Sequence, residues 1–188
     1  MKNLFLAAVG ASAVLATPAY AQATPVPSGP RVEALVGFDS INVSLDDFGI
    51  DESLDKSGFL YGVGVGYDFA VGGMSLGVEV EATDSTAELG DDDFGSVDAG
   101  RDLYAGARVT FPVASNINAY IKGGYTNARF KAEFDGDSEA ENLDGFRLGA
   151  GAQVALGGKA FVGGEYRYSN YEADIARHQF ALVLGTRF

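Results

Sequence analysis

The sequence predicts an all-β fold, an eight-stranded antiparallel up-and-down transmembrane β-barrel with short periplasmic turns and longer extracellular loops. Three observations lead to this prediction. Apolar and polar residues alternate with a period of two over repeated segments of about ten residues, which is the pattern of a strand with lipid on one face. The connections between these segments alternate in length. No apolar run after residue 21 is long enough for a membrane-spanning helix, which needs ~20 residues.

Eight segments show the alternation, and each is long enough to cross a bilayer as a tilted strand of ~9–11 residues. The second segment is the clearest, because its odd positions from Phe59 to Phe69 are aromatic or β-branched and most of its even positions are glycine. The predicted strands are Arg31–Asn42, Gly58–Phe69, Met74–Thr83, Arg101–Phe111, Asn118–Ala128, Gly145–Leu156, Lys159–Tyr171 and Arg177–Phe188.

The connections predict which end of the barrel faces which side of the membrane. Short connections are residues 70–73, 112–117 and 157–158, and long polar ones are residues 43–57, 84–100, 129–144 and 172–176. In outer-membrane barrels the short turns face the periplasm and the long loops face outward. We expect aromatic residues near both strand ends to form girdles at the lipid interfaces. They are Phe69, Phe111 and Phe188 at the turn end, and Phe38, Phe59, Tyr61, Tyr125, Phe146, Tyr166 and Phe180 at the loop end.

Charged residues avoid the face that is predicted to contact lipid. The four long connections contain 19 of the 26 acidic residues, and the other seven acids fall on the inward parity together with six bases. Buried charges must be paired to remain ionised, so we predict a network of ion pairs in the lumen. Its predicted members are Arg31, Glu33, Asp39, Asp68, Glu79, Glu81, Asp102, Arg108, Lys122, Arg147, Glu165, Arg167 and Arg187.

The interior of such a barrel is narrow. Eight strands enclose a space that the barrel's own side chains can fill. Tyr104, Tyr120 and Phe161 share the inward parity with the predicted ion pairs. We therefore expect these side chains to obstruct a continuous open pore, although the many inward glycines leave room for water molecules.

The first residues predict export from the cytoplasm. Lys2 precedes an apolar run, Leu4–Ala16, and Ala19-Tyr20-Ala21 has the small residues of a cleavage site, so we expect a signal peptide at residues 1–21. Residues 22–30 then form a short lead and residues 31–188 the barrel. The chain contains no cysteine, so the fold is stabilised without disulfides.

Several of these segments carry a family resemblance. They are Ala19-Tyr20-Ala21, the opening strand from Pro30 to Ala34, the Gly-rich strand from Gly58 to Tyr67, and the closing Gly185-Thr186-Arg187-Phe188. The chain resembles the outer-membrane β-barrel family of opacity-type porin-like proteins, and its architecture is similar to the transmembrane domain of OmpA. The resemblance implies a location in the cell outer membrane of a Gram-negative envelope. It also implies recognition of the C-terminal Phe188 by the barrel-assembly machinery, and no periplasmic domain after the last strand.

The resemblance leaves several functions open, since the family includes adhesins and complement-evasion factors. We expect a non-enzymatic protein with a role in envelope structure or surface adhesion through its acidic loops. The expected partners are outer-membrane lipid, lipopolysaccharide, and host or cell-surface ligands, whereas the net charge of −13 disfavours nucleic acid. The alternatives are a narrow ion-conducting pore, and a secreted lipocalin-like barrel with an apolar interior.

Catalysis and metal binding are the remaining alternatives. Lipid modification would use His178 with Ser169 and Glu172, but His178 has the lipid-facing parity. Acidic residues at 91–93 and 135–141 offer oxygen ligands for Ca²⁺ or Mg²⁺. However, Ala140 stands where an EF-hand loop requires glycine at its sixth position. We therefore predict no cofactor and no specific metal site, and consider these runs solvated loops that divalent cations could bridge to lipopolysaccharide phosphates.

Overall fold

The computed structural model describes residues 26–44, 53–86, 88–91, 95–134, 137–172 and 175–188. The strands are β1 (Gly29–Ser44), β2 (Ser53–Val71), β3 (Met74–Ser85), β4 (Glu88–Asp91), β5 (Gly95–Ala114), β6 (Ile117–Phe134), β7 (Asp137–Gly157), β8 (Ala160–Tyr171) and β9 (Ile175–Arg187). Within these ranges, no helix is long and apolar enough to cross a membrane. The predicted signal peptide lies outside the described residues.

Eight of the strands form a closed barrel. Their order is β3-β2-β1-β9-β8-β7-β6-β5, and pairing between β3 and β5 completes the circle. The short strand β4 follows β3 and pairs with the outer part of β5. Closure gives every strand of the wall two hydrogen-bonded neighbours, which the hydrocarbon core requires because it offers no water to the backbone. The predicted eight-stranded antiparallel barrel is therefore confirmed.

The first and last strands meet where the barrel closes. Antiparallel pairing of β1 with β9 runs from Arg31 opposite Arg187 to Val43 opposite Ile175. The backbone N–H of Phe188 donates a hydrogen bond of 3.0 Å to the carbonyl of Pro30. The strand β1 therefore begins two residues before the predicted position, because its first residues pair with the end of the chain.

Two of the three turns at one end are tighter than the sequence suggested. Two residues each connect β2 to β3, β5 to β6 and β7 to β8. Gly72 and Gly158 adopt positive φ angles of 61° and 60° in these turns. Two-residue hairpin turns need this conformation because their backbone twist then matches that of the strands, and glycine adopts it without steric cost.

The strands at the other end are longer than predicted. β6 and β7 pair continuously from Ile117 opposite Val154 to Phe134 opposite Asp137. β5 pairs with β6 as far as Ser96 opposite Glu133. Much of the predicted loops at 84–100 and 129–144 is therefore paired strand. These segments did not show a membrane-strand pattern because, beyond the lipid, the outward parity no longer has to be apolar, and in β6 it carries Arg129, Lys131 and Glu133.

An apolar band surrounds the barrel. Most outward residues between the two ends are apolar and exposed, many of them large, such as Val63 and Leu148, and all ten predicted girdle aromatics lie on this face. From Phe59 to Phe69 the chain advances ten residues, and at ~3.3 Å per residue with a tilt of ~40° this gives a height of ~25 Å. This height matches the apolar band of outer-membrane barrels, ~25 Å.

The position of the apolar band predicts that a charged side chain on the lipid-facing surface destabilises the barrel. Val80 is exposed at the middle of the band, whereas Ser115 is exposed in a turn at its edge. We expect Val80→Arg to lower the free energy of unfolding by ~2–4 kcal/mol and Ser115→Arg to lower it by ~0–1 kcal/mol. Denaturant titration of the protein in lipid vesicles measures both. Equal costs at the two positions would contradict this placement of the band.

Candidate functional site

The barrel interior gathers the charged residues that share the inward parity. Of the thirteen predicted members of the lumen network, twelve are buried, and Arg187 is partly exposed at the turn end. The structure adds Arg177, which is 1% exposed and bonded to Asp39. Seven acids then face seven bases in the part of the lumen that the structure describes. Alternation along β9 places Arg177 on the inward face with Gln179, and this signal could have identified it.

The first group of ion pairs lies toward the turn end. Arg108 forms a two-pronged contact with Glu33, with N–O distances of 2.9 and 3.1 Å. Arg31 donates hydrogen bonds to Asp68 and to Glu79. Each carboxylate therefore faces a guanidinium whose planar fork matches its geometry, an arrangement that compensates for the loss of hydration.

The second group lies at the middle of the barrel around one lysine. The Lys122 ammonium lies 2.5 Å from Glu81, 2.9 Å from Glu165 and 3.1 Å from Glu79. Arg167 bonds to Glu165, and its second nitrogen lies 3.2 Å from Glu81. The Tyr120 hydroxyl donates a hydrogen bond of 2.7 Å to Glu165. These contacts cross-link three carboxylates and two cations into one network.

The third group lies toward the loop end and centres on Asp102. Its carboxylate accepts hydrogen bonds from Thr126 at 2.6 Å and from Tyr171 at 2.7 Å. Arg147 donates to the same carboxylate, and an Arg177 nitrogen lies 3.4 Å from it. Polar neighbours of this kind were not identified in the sequence, because a threonine or a tyrosine on the inward parity carries no charge to mark its role.

Aromatic rings fill space beside the ion pairs. Tyr104, Tyr120 and Phe161 are each 2% exposed. Arg108 lies 4.2 Å above the Tyr120 ring. A Cβ added at Gly106 would lie 2.1 Å from the Tyr104 hydroxyl oxygen. The absence of a side chain at this inward glycine therefore makes room for a tyrosine, where the sequence suggested water.

A small apolar cluster lines part of the interior wall. Its members come from β1, β2, β8 and β9 and exclude water from one side of the lumen. They are Leu35, Leu60, Phe161, Ala181 and Val183.

Three interior carboxylates are close enough to resemble a metal site. Ligand oxygens of Glu33, Glu79 and Glu81 lie within 4.8 Å of one another. However, the Arg108 Nε atom lies 2.8 Å from Glu79, and Lys122 lies 2.5 Å from Glu81. Side-chain cations thus already neutralise the group, and a divalent ion would have to displace them.

The side chains of most of the acidic residues considered as metal ligands lie outside the part of the chain that the structure describes. Glu141 is exposed on β7. Asp92, Asp93 and Asp135 lie outside the described residues, as do the side chains of Asp91, Asp137 and Glu139.

The histidine considered for catalysis is separated from its serine by the barrel wall. His178 faces outward, where its Nδ1 atom lies 2.7 Å from the Tyr166 hydroxyl. Ser169 is buried inside and accepts a hydrogen bond of 2.8 Å from Arg147. The two side chains lie on opposite faces of the sheet, so they do not form the hydrogen-bonded pair that an activated serine needs.

The exterior becomes polar at the outer edge of the apolar band. Tyr125 and Asn127 on β6 both donate hydrogen bonds to Asp144 on β7. The Tyr125 hydroxyl, followed by the Asn127 amide, lowers the pKa of Asp144 because hydrogen bonds favour the ionised carboxylate. This cluster marks the outer limit of the lipid-facing surface.

A closed barrel with an apolar exterior and an ionised interior defines a membrane-spanning β-barrel protein. Comparison with known families agrees with this class. The profile of the outer membrane protein β-barrel domain matches residues 7–188, and the chain belongs to this family. The predicted resemblance and the location in the outer membrane are confirmed. The alternative of a secreted lipocalin-like barrel is wrong.

Solved structures of other outer-membrane barrels share the fold. Neisserial surface protein A superposes with a TM-score of 0.64 at 16% identity, covering 86% of this chain and 98% of that one. Ail of Yersinia pestis, in complex with the heparin analogue sucrose octasulfate, gives 0.58 at 18% identity, with 85% and 99% covered. The N-terminal barrel of Pseudomonas aeruginosa OprF gives 0.54 at 15% identity, with 86% and 100% covered. No curated protein matches the chain in sequence.

The Asp102 group predicts a large effect of one substitution. Asp102→Ala removes the carboxylate that Arg147 and Arg177 share, and leaves buried guanidinium charge without compensation. We expect the free energy of unfolding in vesicles to fall by ~3–5 kcal/mol. The control Glu172→Ala removes an exposed acid and should change it by less than ~0.5 kcal/mol. Similar losses for the two variants would contradict the role of the network in stability.

Proposed function

We propose that this protein is a non-conducting, non-enzymatic membrane anchor that presents acidic strands at the cell surface for contact with other molecules. The ion-paired interior is the observation that carries the proposal. An anchor needs a stable wall and no passage, whereas a diffusion pore needs a continuous path of water.

Ion pairs that join opposite walls support a closed lumen. β8 and β3 lie four positions apart in the ring of eight strands, and Arg167 on β8 lies 3.2 Å from Glu81 on β3. β9 and β5 are also four positions apart, and Arg177 lies 3.4 Å from Asp102. The lumen is therefore bridged across its full width at two levels. A hydrated ion would have to break such pairs to pass.

The placement of the histidine supports a function without catalysis. His178 contacts Tyr166 on the lipid side, while Ser169 is bonded to Arg147 inside the barrel. The amphipathic imidazole ring suits the membrane interface in this position.

The extended outer strands support a surface role. β5, β6 and β7 continue past the apolar band as a paired sheet. The segment from Glu133 to Asp144 contains six acids and no base. A surface of this sign attracts cationic partners and repels polyanions. This chain thus differs from Ail, which was solved with a heparin analogue, and we propose that it selects basic protein surfaces instead.

The C-terminal residue fits a role in membrane insertion. Phe188 is exposed, and the Lys159 ammonium lies 5.7 Å from the centre of its ring. Its recognition by the barrel-assembly machinery stays a prediction.

Bilayer recordings test the closed lumen. We expect the purified wild-type protein in a planar bilayer to show no steady conductance, because paired side chains bridge the lumen. The double variant Glu81→Ala/Arg167→Ala removes one bridge and should admit brief openings, while Glu172→Ala should behave as the wild type. A steady conductance of the wild type would overturn the anchor proposal and favour the narrow ion-conducting pore.

Binding assays test the surface role. The protein in nanodiscs should bind a polylysine-coated surface and not a heparin-coated one, and binding should weaken as salt rises because exposed charges are screened within ~8 Å at physiological ionic strength. The variant Glu133→Gln/Glu139→Gln/Glu141→Gln should lose most of this binding, and Glu172→Gln, at an exposed acid outside this segment, should not. Unchanged binding by the triple variant would contradict the proposed surface.

A further inference from the structure

An apolar groove crosses the lipid-facing surface of β2, β3, β5 and β6. Its volume is about 530 Å³, and its walls are almost entirely apolar. Ala82 and Ala105 lie in the groove between larger residues, including Val63 and Leu103, so the surface is recessed where the alanines stand. Tyr125 and Asn127 bound its outer end. In the membrane a groove of this kind is filled by hydrocarbon.

Two arginines lie directly above the outer end of this groove. Leu103 on β5 pairs with Asn127 on β6, and the next outward residues along these strands are Arg101 and Arg129. Continuing the register of Leu103 opposite Asn127 and Asp102 opposite Ala128 places Arg101 beside Arg129, just before a β-bulge that shifts the pairing to Ala99 opposite Phe130. Both side chains are exposed. Antiparallel pairing of β5 with β6 therefore brings two guanidinium groups to the same place on the exterior.

The described part of the chain offers neither arginine an ion-pair partner, since no described acid lies within 4.0 Å of either guanidinium. On a neighbouring strand, Asp84 accepts the backbone N–H of Ser85 at 2.8 Å. Asp144 accepts hydrogen bonds from its neighbours on β6.

The position of the pair is unusual for this chain. Seven of its bases form the lumen network, and Lys159 lies at the turn end. Of the side chains that the structure describes, Arg101 and Arg129 are the only bases on the exterior of the outer end. They stand at the height just beyond Tyr125, where the apolar band ends and lipid headgroups begin.

We propose that Arg101 and Arg129 bind a phosphate of lipid A, the lipid of lipopolysaccharide, while one of its acyl chains lies in the groove. Guanidinium groups form two-pronged hydrogen bonds with phosphate oxygens, and two neighbouring arginines match a charge of about −2. The groove supplies the apolar contact directly beneath them. This inference rests on the membrane location alone and does not depend on whether the lumen conducts ions or the acidic strands bind a partner.

A second groove on the barrel offers an internal comparison. It has a similar volume, about 520 Å³, and is lined by Phe38, Tyr166, Phe180 and other apolar residues. Its outer end carries His178, hydrogen-bonded to Tyr166, and no arginine. The two grooves are therefore alike in volume and in their apolar lining. The pair of arginines at the outer end distinguishes the first groove from the second.

Native mass spectrometry of the detergent-solubilised full chain tests the proposal with three probes: bis-phosphorylated lipid A, the same lipid without phosphates, and inorganic phosphate. We expect retention of the phosphorylated lipid, about tenfold weaker retention of the dephosphorylated lipid, and no competition by millimolar phosphate. Arg101→Gln/Arg129→Gln should lower retention about tenfold, whereas Arg101→Lys/Arg129→Lys should lower it less, because an ammonium keeps the charge but not the two-pronged geometry.

Matched variants separate the groove from the charges. Ala105→Phe fills the proposed groove and should weaken retention, while Gly164→Phe fills the second groove, where an added Cβ meets no atom within 4 Å, and should not. Lys159→Gln controls for loss of one exposed base. A heat-modified gel shift confirms that each barrel is folded. Equal retention of the two lipids, wild-type retention by the double glutamine variant, or displacement by free phosphate would each overturn the proposal.

Discussion

The closed hydrogen-bond ladder between β1 and β9 is the constraint on which the rest of this structure depends. Hydrocarbon offers the backbone no hydrogen-bond partner, so a sheet with a free edge is not stable in it. Closing the sheet satisfies the backbone and at the same time divides the side chains into two populations. Alternate residues face lipid, and the residues between them face a narrow interior.

Closure of the sheet encloses charged side chains, which then need partners to replace water. Charged side chains that avoid lipid are enclosed, and each loses its hydration. The interior contains equal numbers of acids and bases, and some of their ion pairs reach across the lumen, as between Arg167 and Glu81. Tyr104 lies over Gly106 and fills space that the ion pairs leave. Packing and charge neutralisation are thus achieved by the same set of inward positions.

Much of this architecture can be predicted from the sequence, because lipid and lumen impose opposite polarities on neighbouring residues. Val63 and Gly64 show that alternation directly. Strands are harder to predict from the sequence outside the membrane, where lipid no longer requires an apolar face. Beyond the membrane, β6 and β7 continue as strands although the outward parity of β6 becomes polar at Arg129, Lys131 and Glu133, and their pairing with each other determines this. The bulge next to Arg101 likewise depends on the register of two strands, which a single segment does not contain.

Arg177 illustrates a different limit. Its parity is readable, but its importance comes from Asp39, a residue 138 positions earlier in the chain. Ion pairs between residues so far apart in sequence affect how the barrel can assemble. A chain that lacks its final strand holds Asp39 and Asp102 without the guanidinium that they share, so an incomplete sheet carries surplus negative charge that opposes entry into hydrocarbon. The last strand supplies Arg177 and Arg187, the two bases that bring the charges of the interior into balance.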